Sequence, residues 1–243
     1  MAGTLYLVPT PIGNLEDITL RALNVLRSVD IIVCEDTRHT VKLLNHFEIQ
    51  KPLISFFSYN QARRLPQLMD ALLSGKNLAV VSDSGTPGIS DPGFFLVRAA
   101  IANSVAVVSL PGPSAAITAL VASGLPTDKF IFLGFLKRKP GKMKKELQQA
   151  VSGGVTVIFY ESPHRIVKTI SLCREIFAPE TQVVLAREMT KKFEEYIRGT
   201  IVEVDETLRR RSEIKGEFVV LFSPVRKADG DTETESWLKS GQE

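Results

Sequence analysis

Cysteine is scarce in this chain. Cys34 and Cys173 are the only two in 243 residues, and they form no Cys-x-x-Cys pair. Neither a disulfide framework nor a cysteine zinc site is implied, and both thiols read as small buried hydrophobes of a reducing compartment. The three histidines, His39, His46 and His164, lie far apart and never as His-x-x-x-His, so no metal centre is expected. Neither Gly-x-Gly-x-x-Gly nor the Walker pattern occurs, which argues against a dinucleotide oxidoreductase or an NTPase. A Ser-His-Asp hydrolase would lack its Gly-x-Ser-x-Gly elbow. No apolar run approaches a membrane span, and the start of the chain has no charged n-region before Pro9 and Pro11. A cytoplasmic protein without membrane contact is expected. The net charge of +3 is too small to establish a nucleic-acid partner.

What is present alternates. Short apolar, β-branched runs fall at residues 4–8, 30–34, 53–56, 78–81, 106–110, 130–133, 156–160, 182–186, 195–203 and 217–222. Helical spacing of leucines marks residues 20–29, 40–46 and 65–73 between them. Strand–helix alternation predicts an α/β fold with largely parallel pairing. Later the strands crowd together around a charged helix-like stretch at 206–213, which predicts a mixed or antiparallel sheet. The chain divides near Gly124-Leu125-Pro126-Thr127-Asp128 into two α/β lobes, residues 1–123 and 124–226, followed by a polar acidic tail at 227–243 expected to be disordered.

Residues 82–93, Ser-Asp-Ser-Gly-Thr-Pro-Gly-Ile-Ser-Asp-Pro-Gly, follow the run 78–81 directly. Glycines allow positive φ and close approach, prolines stiffen the path, and free amides and hydroxyls remain to bind something polar. A loop this long and this biased reads as a ligand cradle. Three other loops also follow predicted strands: Pro9-Thr10-Pro11-Ile12-Gly13-Asn14, Pro111-Gly112-Pro113-Ser114 and Glu161-Ser162-Pro163-His164-Arg165. In open α/β sheets the ligand crevice lies outside the carboxyl ends of the strands, where such loops converge. Ser114 is expected to cap the helix that begins with Ala115 and Ala116. Lacking a metal, a phosphate cradle and a nucleophile, such a crevice suits group transfer from an activated donor.

Two charged clusters also end strands: Cys34-Glu35-Asp36-Thr37-Arg38-His39 and Ala186-Arg187-Glu188-Met189-Thr190-Lys191. Either is a solvated surface or part of a site. His164 and Arg165 are similar, and Arg165 could simply pair with Glu161. Residues 137–145 carry six positive charges in nine positions and are expected to form an exposed mobile loop. Arg209-Arg210-Arg211 adds three more. Such runs suit a polyphosphate backbone, with a solubilising surface as the alternative.

Six motifs in order carry a resemblance. They are Leu5-Tyr6-Leu7-Val8-Pro9-Thr10-Pro11-Ile12-Gly13-Asn14-Leu15-Glu16-Asp17, Cys34-Glu35-Asp36-Thr37-Arg38, the 82–93 loop, Leu110-Pro111-Gly112-Pro113-Ser114-Ala115, Phe159-Tyr160-Glu161-Ser162-Pro163-His164-Arg165 and Ala186-Arg187-Glu188-Met189-Thr190-Lys191. Across residues 5–222 the chain resembles the tetrapyrrole methylase superfamily, in its bacterial branch of small-subunit ribosomal RNA (cytidine-2′-O)-methyltransferases. The resemblance implies two α/β lobes, S-adenosylmethionine in the cleft between them, and a homodimer. Carried over by motif, the cofactor would meet Pro11 and Gly13, then Asp83, Ser84, Gly85, Ile89 and Ser90, then Pro111, Ser114, Ala115 and Ala116, with Tyr160 and Gly216 from the second lobe. The chain departs from the family at Ser58-Tyr59-Asn60-Gln61, where a His- and Glu-containing run is usual.

The implied reaction is in-line attack of a ribose 2′-hydroxyl on a sulfonium methyl, with positioning supplying much of the rate. A weak nucleophile needs an acceptor for its proton. Glu188 or His164 is the candidate acceptor, and Arg38, Arg165 and Lys191 would hold flanking phosphates, with Glu35 and Asp36 beside them. An extruded base would need a shelf such as Phe57, Tyr59 or Tyr160. Two rival readings stand: a methylase acting on a tetrapyrrole, and a non-enzymatic RNA-binding protein on the same fold.

Overall fold

All ten apolar runs form strands, and the strands divide between two sheets. The computed structural model describes residues 1–90 and 93–223, so the expected tail at 227–243 and residues Asp91 and Pro92 of the long loop lie outside the described residues.

The first sheet contains β1 (Thr4–Leu7), β2 (Ile31–Cys34), β3 (Leu53–Ser55), β4 (Leu78–Val80) and β5 (Ala106–Ser109) in the order β3-β2-β4-β1-β5, every pair parallel. Parallel neighbours need a crossover, and α1 (Leu20–Ser28), α2 (Thr37–His46), α3 (Gln61–Leu73) and α4 (Phe94–Ala102) supply them. Strand side chains alternate between two cores. Val8, Ile32, Cys34 and Ala79 meet Leu23, Leu26 and Leu44 of α1 and α2. Leu5, Val33, Leu78 and Val80 meet Leu68, Leu72, Leu96 and Ala100 of α3 and α4. Burial on both faces explains why these strands read as continuous apolar runs.

The second sheet contains β6 (Phe130–Phe135), β7 (Thr156–Glu161), β8 (Gln182–Arg187), β9 (Glu195–Thr200) and β10 (Phe218–Ser223) in the order β6-β7-β10-β8-β9. Only β6 and β7 run parallel; the other pairs are antiparallel, as the crowded second half predicts. The last strand among the described residues therefore sits in the centre. Val157, Phe159, Val183, Leu185, Phe218, Val220 and Phe222 face a core closed by α6 (Pro140–Val151), α7 (Ile166–Ile176) and α8 (Ile201–Arg209). Ile158, Val184, Ala186, Val219 and Leu221 face the opposite way, onto Ala116, Ala119 and Leu120 of α5 (Ala115–Ser123). Each large side chain so buried contributes about 1.5–3 kcal/mol.

Two local expectations need correction. The strand expected over 195–203 ends at Thr200, and the helix expected over 206–213 is α8, which starts at Ile201. Its start is a capping box: the Thr200 hydroxyl accepts from the Glu203 amide while the Glu203 carboxylate accepts from the Thr200 amide at 2.8 Å. Residues 137–145 are not a mobile loop, because α6 begins at Pro140 and buries Met143, Leu147 and Ala150 at helical spacing. Proline suits that first position, where its missing N–H has no partner to lose.

Candidate functional site

At the carboxyl end of the first sheet, the loops after β1 and β4 hold each other by backbone bonds. The Thr10 amide donates to the Gly85 carbonyl at 2.9 Å and the Gly85 amide returns a bond at 3.0 Å. The Thr10 hydroxyl donates to the Ser82 carbonyl at 3.0 Å, and the Thr86 hydroxyl reaches the Pro113 carbonyl at 3.0 Å, adding the loop after β5. Gly85 takes φ +83°, a value that L side chains rarely adopt, so the turn depends on glycine. The expected cradle is thus fixed by its own hydrogen bonds.

The second sheet closes over it. Gly13 lies against the loop after β8 so tightly that a Cβ there would stand 2.5 Å from Lys191 Cγ, and the Asn14 amide donates to Thr190 Oγ1 at 3.0 Å. Between the lobes opens a cavity of about 470 Å³. Of the residues carried over for a cofactor, Asp83, Ser84, Gly85, Ile89, Ser90, Ser114, Ala115 and Tyr160 line it. Of those proposed for chemistry, Glu188 and Lys191 line it too.

Others stand behind or beside that wall. Pro11 and Ala116 are buried, and Ala116 packs in the core beneath α5. Pro111 is exposed outside the lining. Gly13 seats Lys191, and Gly216 seats Glu188, since a Cβ on Gly216 would be 2.4 Å from Glu188 Cγ. Arg165 takes its modest alternative, pairing with Glu161 at 3.3 Å and donating to the Leu136 carbonyl at 3.2 Å. His164 is exposed and outside the lining. Asp36 caps α2 by accepting from the Arg38 amide at 2.8 Å and also binds the Arg38 guanidinium, which holds its carboxyl down at about 2. Glu35 sits beside this cap outside the lining, and burial, reinforced by Asp83 and Asp36, pushes its carboxyl up. Asn60 accepts from the Phe57 amide at 2.9 Å and donates to the Ser55 carbonyl at 3.1 Å, a local turn bond.

Glu188 and Lys191 form the charged corner of the cavity. The Lys191 ammonium lies 2.9 Å from Glu188 and 3.0 Å from Glu217, and the Glu217 amide donates to Glu188 at 3.0 Å. Burial alone would raise the Glu188 carboxyl, but the Glu217 amide and Lys191 hold it below the usual range. Burial alone would lower the Lys191 ammonium, and its two carboxylate partners raise it instead. Both groups are charged at neutral pH.

Ser114 occupies the N-cap position of α5, yet its side chain makes no capping bond. Ser114 and Ala115, at the start of that helix, both line the cavity. The apolar lining includes Ile12 of the expected Pro11–Gly13 turn and Met189 of the charged cluster after β8, together with Phe135, Phe218 and Val219, which sequence reasoning missed. Phe135, Phe218 and Val219 belong to strands of the second sheet, where only the pairing reveals which ends reach the cleft. Glu161, Ser162 and Pro163 of the expected loop after β7 also line it, and Glu161 is buried, accepting from Thr169 Oγ1 at 2.7 Å and the Ser162 amide at 2.8 Å.

The lining fits an adenosyl amino-acid donor. It offers apolar faces for a base, acidic groups for hydroxyls and positive charge, and Ser114 and Ala115 at a helix start for a carboxylate.

Comparison with known proteins places this geometry in a family. Residues 4–205 match the model of the Tetrapyrrole (Corrin/Porphyrin) Methylases. The chain is 50% identical to the ribosomal RNA small subunit methyltransferase I of Streptococcus pyogenes serotype M18, over 96% of this chain and 80% of that protein. The solved structure of a cobalamin biosynthetic enzyme, cobalt precorrin-4 methyltransferase, superposes with a TM-score of 0.68 at 17% identity, covering 90% of this chain and 94% of that one. A Thermus thermophilus uroporphyrin-III C-methyl transferase complexed with S-adenyl homocysteine gives 0.62 at 19% identity, covering 90% and 97%. At those identities the structures show the shared fold.

Proposed function

We propose that the chain, which belongs to the tetrapyrrole (corrin/porphyrin) methylase family and within it to the small-subunit ribosomal RNA methyltransferases, methylates a cytidine 2′-hydroxyl of that RNA. The identity to its relative over nearly the whole chain carries this reading. S-adenosylmethionine, when bound, supplies an electrophilic methyl on sulfur and a neutral thioether as leaving group.

The chain's own residues do the rest. Ser114 and Ala115 at the start of α5 would hold the donor's carboxylate, and the fixed 83–90 loop would bound its other end. Glu188, held charged by Lys191 and the Glu217 amide, accepts the hydrogen bond of the attacking hydroxyl. The proton released as the hydroxyl is methylated would pass to Glu188. A carboxylate with a lowered pKa is a weak base, so Glu188→Gln should cut turnover about 100-fold, the low end for proton transfer. RNA affinity should stay at the wild-type value; unchanged turnover would remove Glu188 from this role.

We also read the protein as a homodimer. Ile117 and Val121 lie one turn apart on α5 with 45% and 71% exposure, and Phe130 and Ile131 are exposed on the edge strand β6. Light scattering should return about twice the 26.8 kDa chain mass. The monomer mass would refute it.

The test of function is methyl transfer from radiolabelled S-adenosylmethionine to unmethylated small subunits, bare ribosomal RNA and a tetrapyrrole precursor. Label in RNA at an alkali-resistant linkage supports the reading. Label only in the tetrapyrrole, or RNA binding without transfer or donor affinity, overturns it.

A further inference from the structure

Strand β6 is read out of register at one point. Phe130, Ile131 and Phe132 pair with Thr156, Val157 and Ile158, but the next partner of Tyr160 is Phe135. Three residues of β6 thus span two of β7, which is a bulge of one residue, and Gly134 within it takes φ +63°. Strict alternation would put Phe135 on the side of Leu133, against the core of α6 and α7. The bulge turns it onto the side of Phe132 and Tyr160 instead. There its ring meets the Tyr160 ring edge-on at 5.5 Å and lines the cavity, yet it remains 58% exposed.

The chain after Phe135 is held firmly. The Arg165 guanidinium donates to the Leu136 carbonyl at 3.2 Å, and the Lys137 amide donates to the Glu146 carboxylate at 3.3 Å. From that corner project Lys137, Arg138, Lys139, Lys142 and Lys145, all exposed, with Lys144 half-buried beside them. None of the six has an ion-pair partner among the described residues. The other basic run behaves differently: Arg209 binds Asp205, Arg210 binds Glu206 and Arg211 binds Glu195. Those three charges are neutralised, whereas the β6–α6 corner keeps its own for something outside the chain.

We infer that the β6–α6 corner is the strand-docking platform of the RNA substrate, with Phe135 stacking on the base of the target nucleotide and the six cations meeting the flanking phosphates. The inference rests on the RNA reading above and names the surface that reading leaves open. An exposed aromatic ring beside a row of free cations is the combination that single-stranded nucleic acid needs, one for the bases and the other for the backbone. The bulge is the device that puts ring and cavity on one face.

The experiment uses the full chain with Phe135→Ala, Phe135→Trp and the pair Lys139→Glu/Lys142→Glu. Binding of fluorescent single-stranded ribosomal RNA is read by anisotropy in the presence of S-adenosylhomocysteine, alongside methyl transfer to small-subunit RNA. Phe135→Ala should weaken RNA binding and raise the KM for RNA roughly 10- to 100-fold. Phe135→Trp should stay close to wild type, and in Phe135→Ala the S-adenosylhomocysteine affinity by calorimetry should fall far less than RNA affinity, because Ile12, Met189, Phe218 and Val219 still line the cavity. The lysine pair should flatten the slope of log affinity against log salt by about 0.7 for each phosphate no longer neutralised. Unchanged RNA affinity in Phe135→Ala, or a loss of S-adenosylhomocysteine affinity instead, overturns the platform. If wild type binds RNA in a Phe135-dependent way but transfers no methyl, the platform stands and the functional reading fails.

Discussion

Gly216→Ala isolates the charged corner of the cavity. Two separate costs follow from the position. The residue has φ +91°, where an L side chain costs about 1–2 kcal/mol. The new methyl would also stand 2.4 Å from Glu188 Cγ and 2.8 Å from its Cδ, so Glu188 must swing away. Doing so strips the Glu217 amide of its acceptor at 3.0 Å and the Lys191 ammonium of its partner at 2.9 Å. Bonds to charged groups are worth about 1.5–3 kcal/mol, but water reaches this corner, so the low end applies once. The total is about 2–4 kcal/mol, or a fall in Tm of roughly 5–15 °C for a chain of this size. The decisive assay is a double-mutant cycle with Glu188→Ala, read by urea unfolding. With Glu188 truncated, the three close contacts at 2.4, 2.8 and 2.9 Å are gone, and the backbone cost remains. A coupling of about 1–2 kcal/mol is expected. A coupling under about 0.5 kcal/mol would refute the claim that Gly216 exists to seat Glu188.

Asp205 offers a pH-dependent test. It is buried on α8, accepting from Ser171 Oγ at 3.0 Å, Arg174 at 3.1 Å and Arg209 at 3.0 Å, and it ties α7 to α8. Burial alone would raise its carboxyl, but these donors hold it below the ordinary value. A depressed folded pKa means stability that is present above about pH 4 and lost as the pH falls through the folded value. Asp205→Asn should therefore cost about 1–3 kcal/mol between pH 5 and 8, discounted because both arginines are half-exposed and can rehydrate. The gap to wild type should close below about pH 4 in urea unfolding; a gap that widens there would contradict the assignment. Thr200→Ala should lower Tm by roughly 2–4 °C through loss of the α8 cap, with Thr200→Ser close to wild type. Equal melting of all three would show that the cap adds nothing.

Strands were legible because each is an apolar run bounded by polar or turn residues, and burial on both faces of the first sheet makes the signal strong. Where a helix follows a strand without a break, composition misleads. Ile201, Val202 and Val204 look like a continuation of β9, and only the spacing of Thr200 and Glu203 marks the change. Residues 137–145 misled in the opposite sense: proline, glycine and lysines look like loop, while Met143, Leu147 and Ala150 carry the helical period. In the site, the loops after β1, β4 and β5 were legible because a parallel sheet gathers its carboxyl ends on one side. Phe135, Phe218 and Val219 were not, since their orientation depends on antiparallel pairing and on a bulge. The charges of Glu35, Asp36 and Arg38 stood out equally well, but sequence spacing does not separate a helix cap from a catalytic group.

The central place of β10 in the second sheet bears on how the molecule is made. Residues 218–223 are the last of the ten strands to leave the ribosome, yet they must enter between β7 and β8, which precede them by dozens of residues. Until then β7 and β8 each carry an open edge ready for wrong partners. Glu217, Phe218 and Val219 also complete the cavity wall. A nascent chain stopped short of them has a finished first lobe and no finished pocket, so the ability to take up a ligand arrives in a single late step of synthesis.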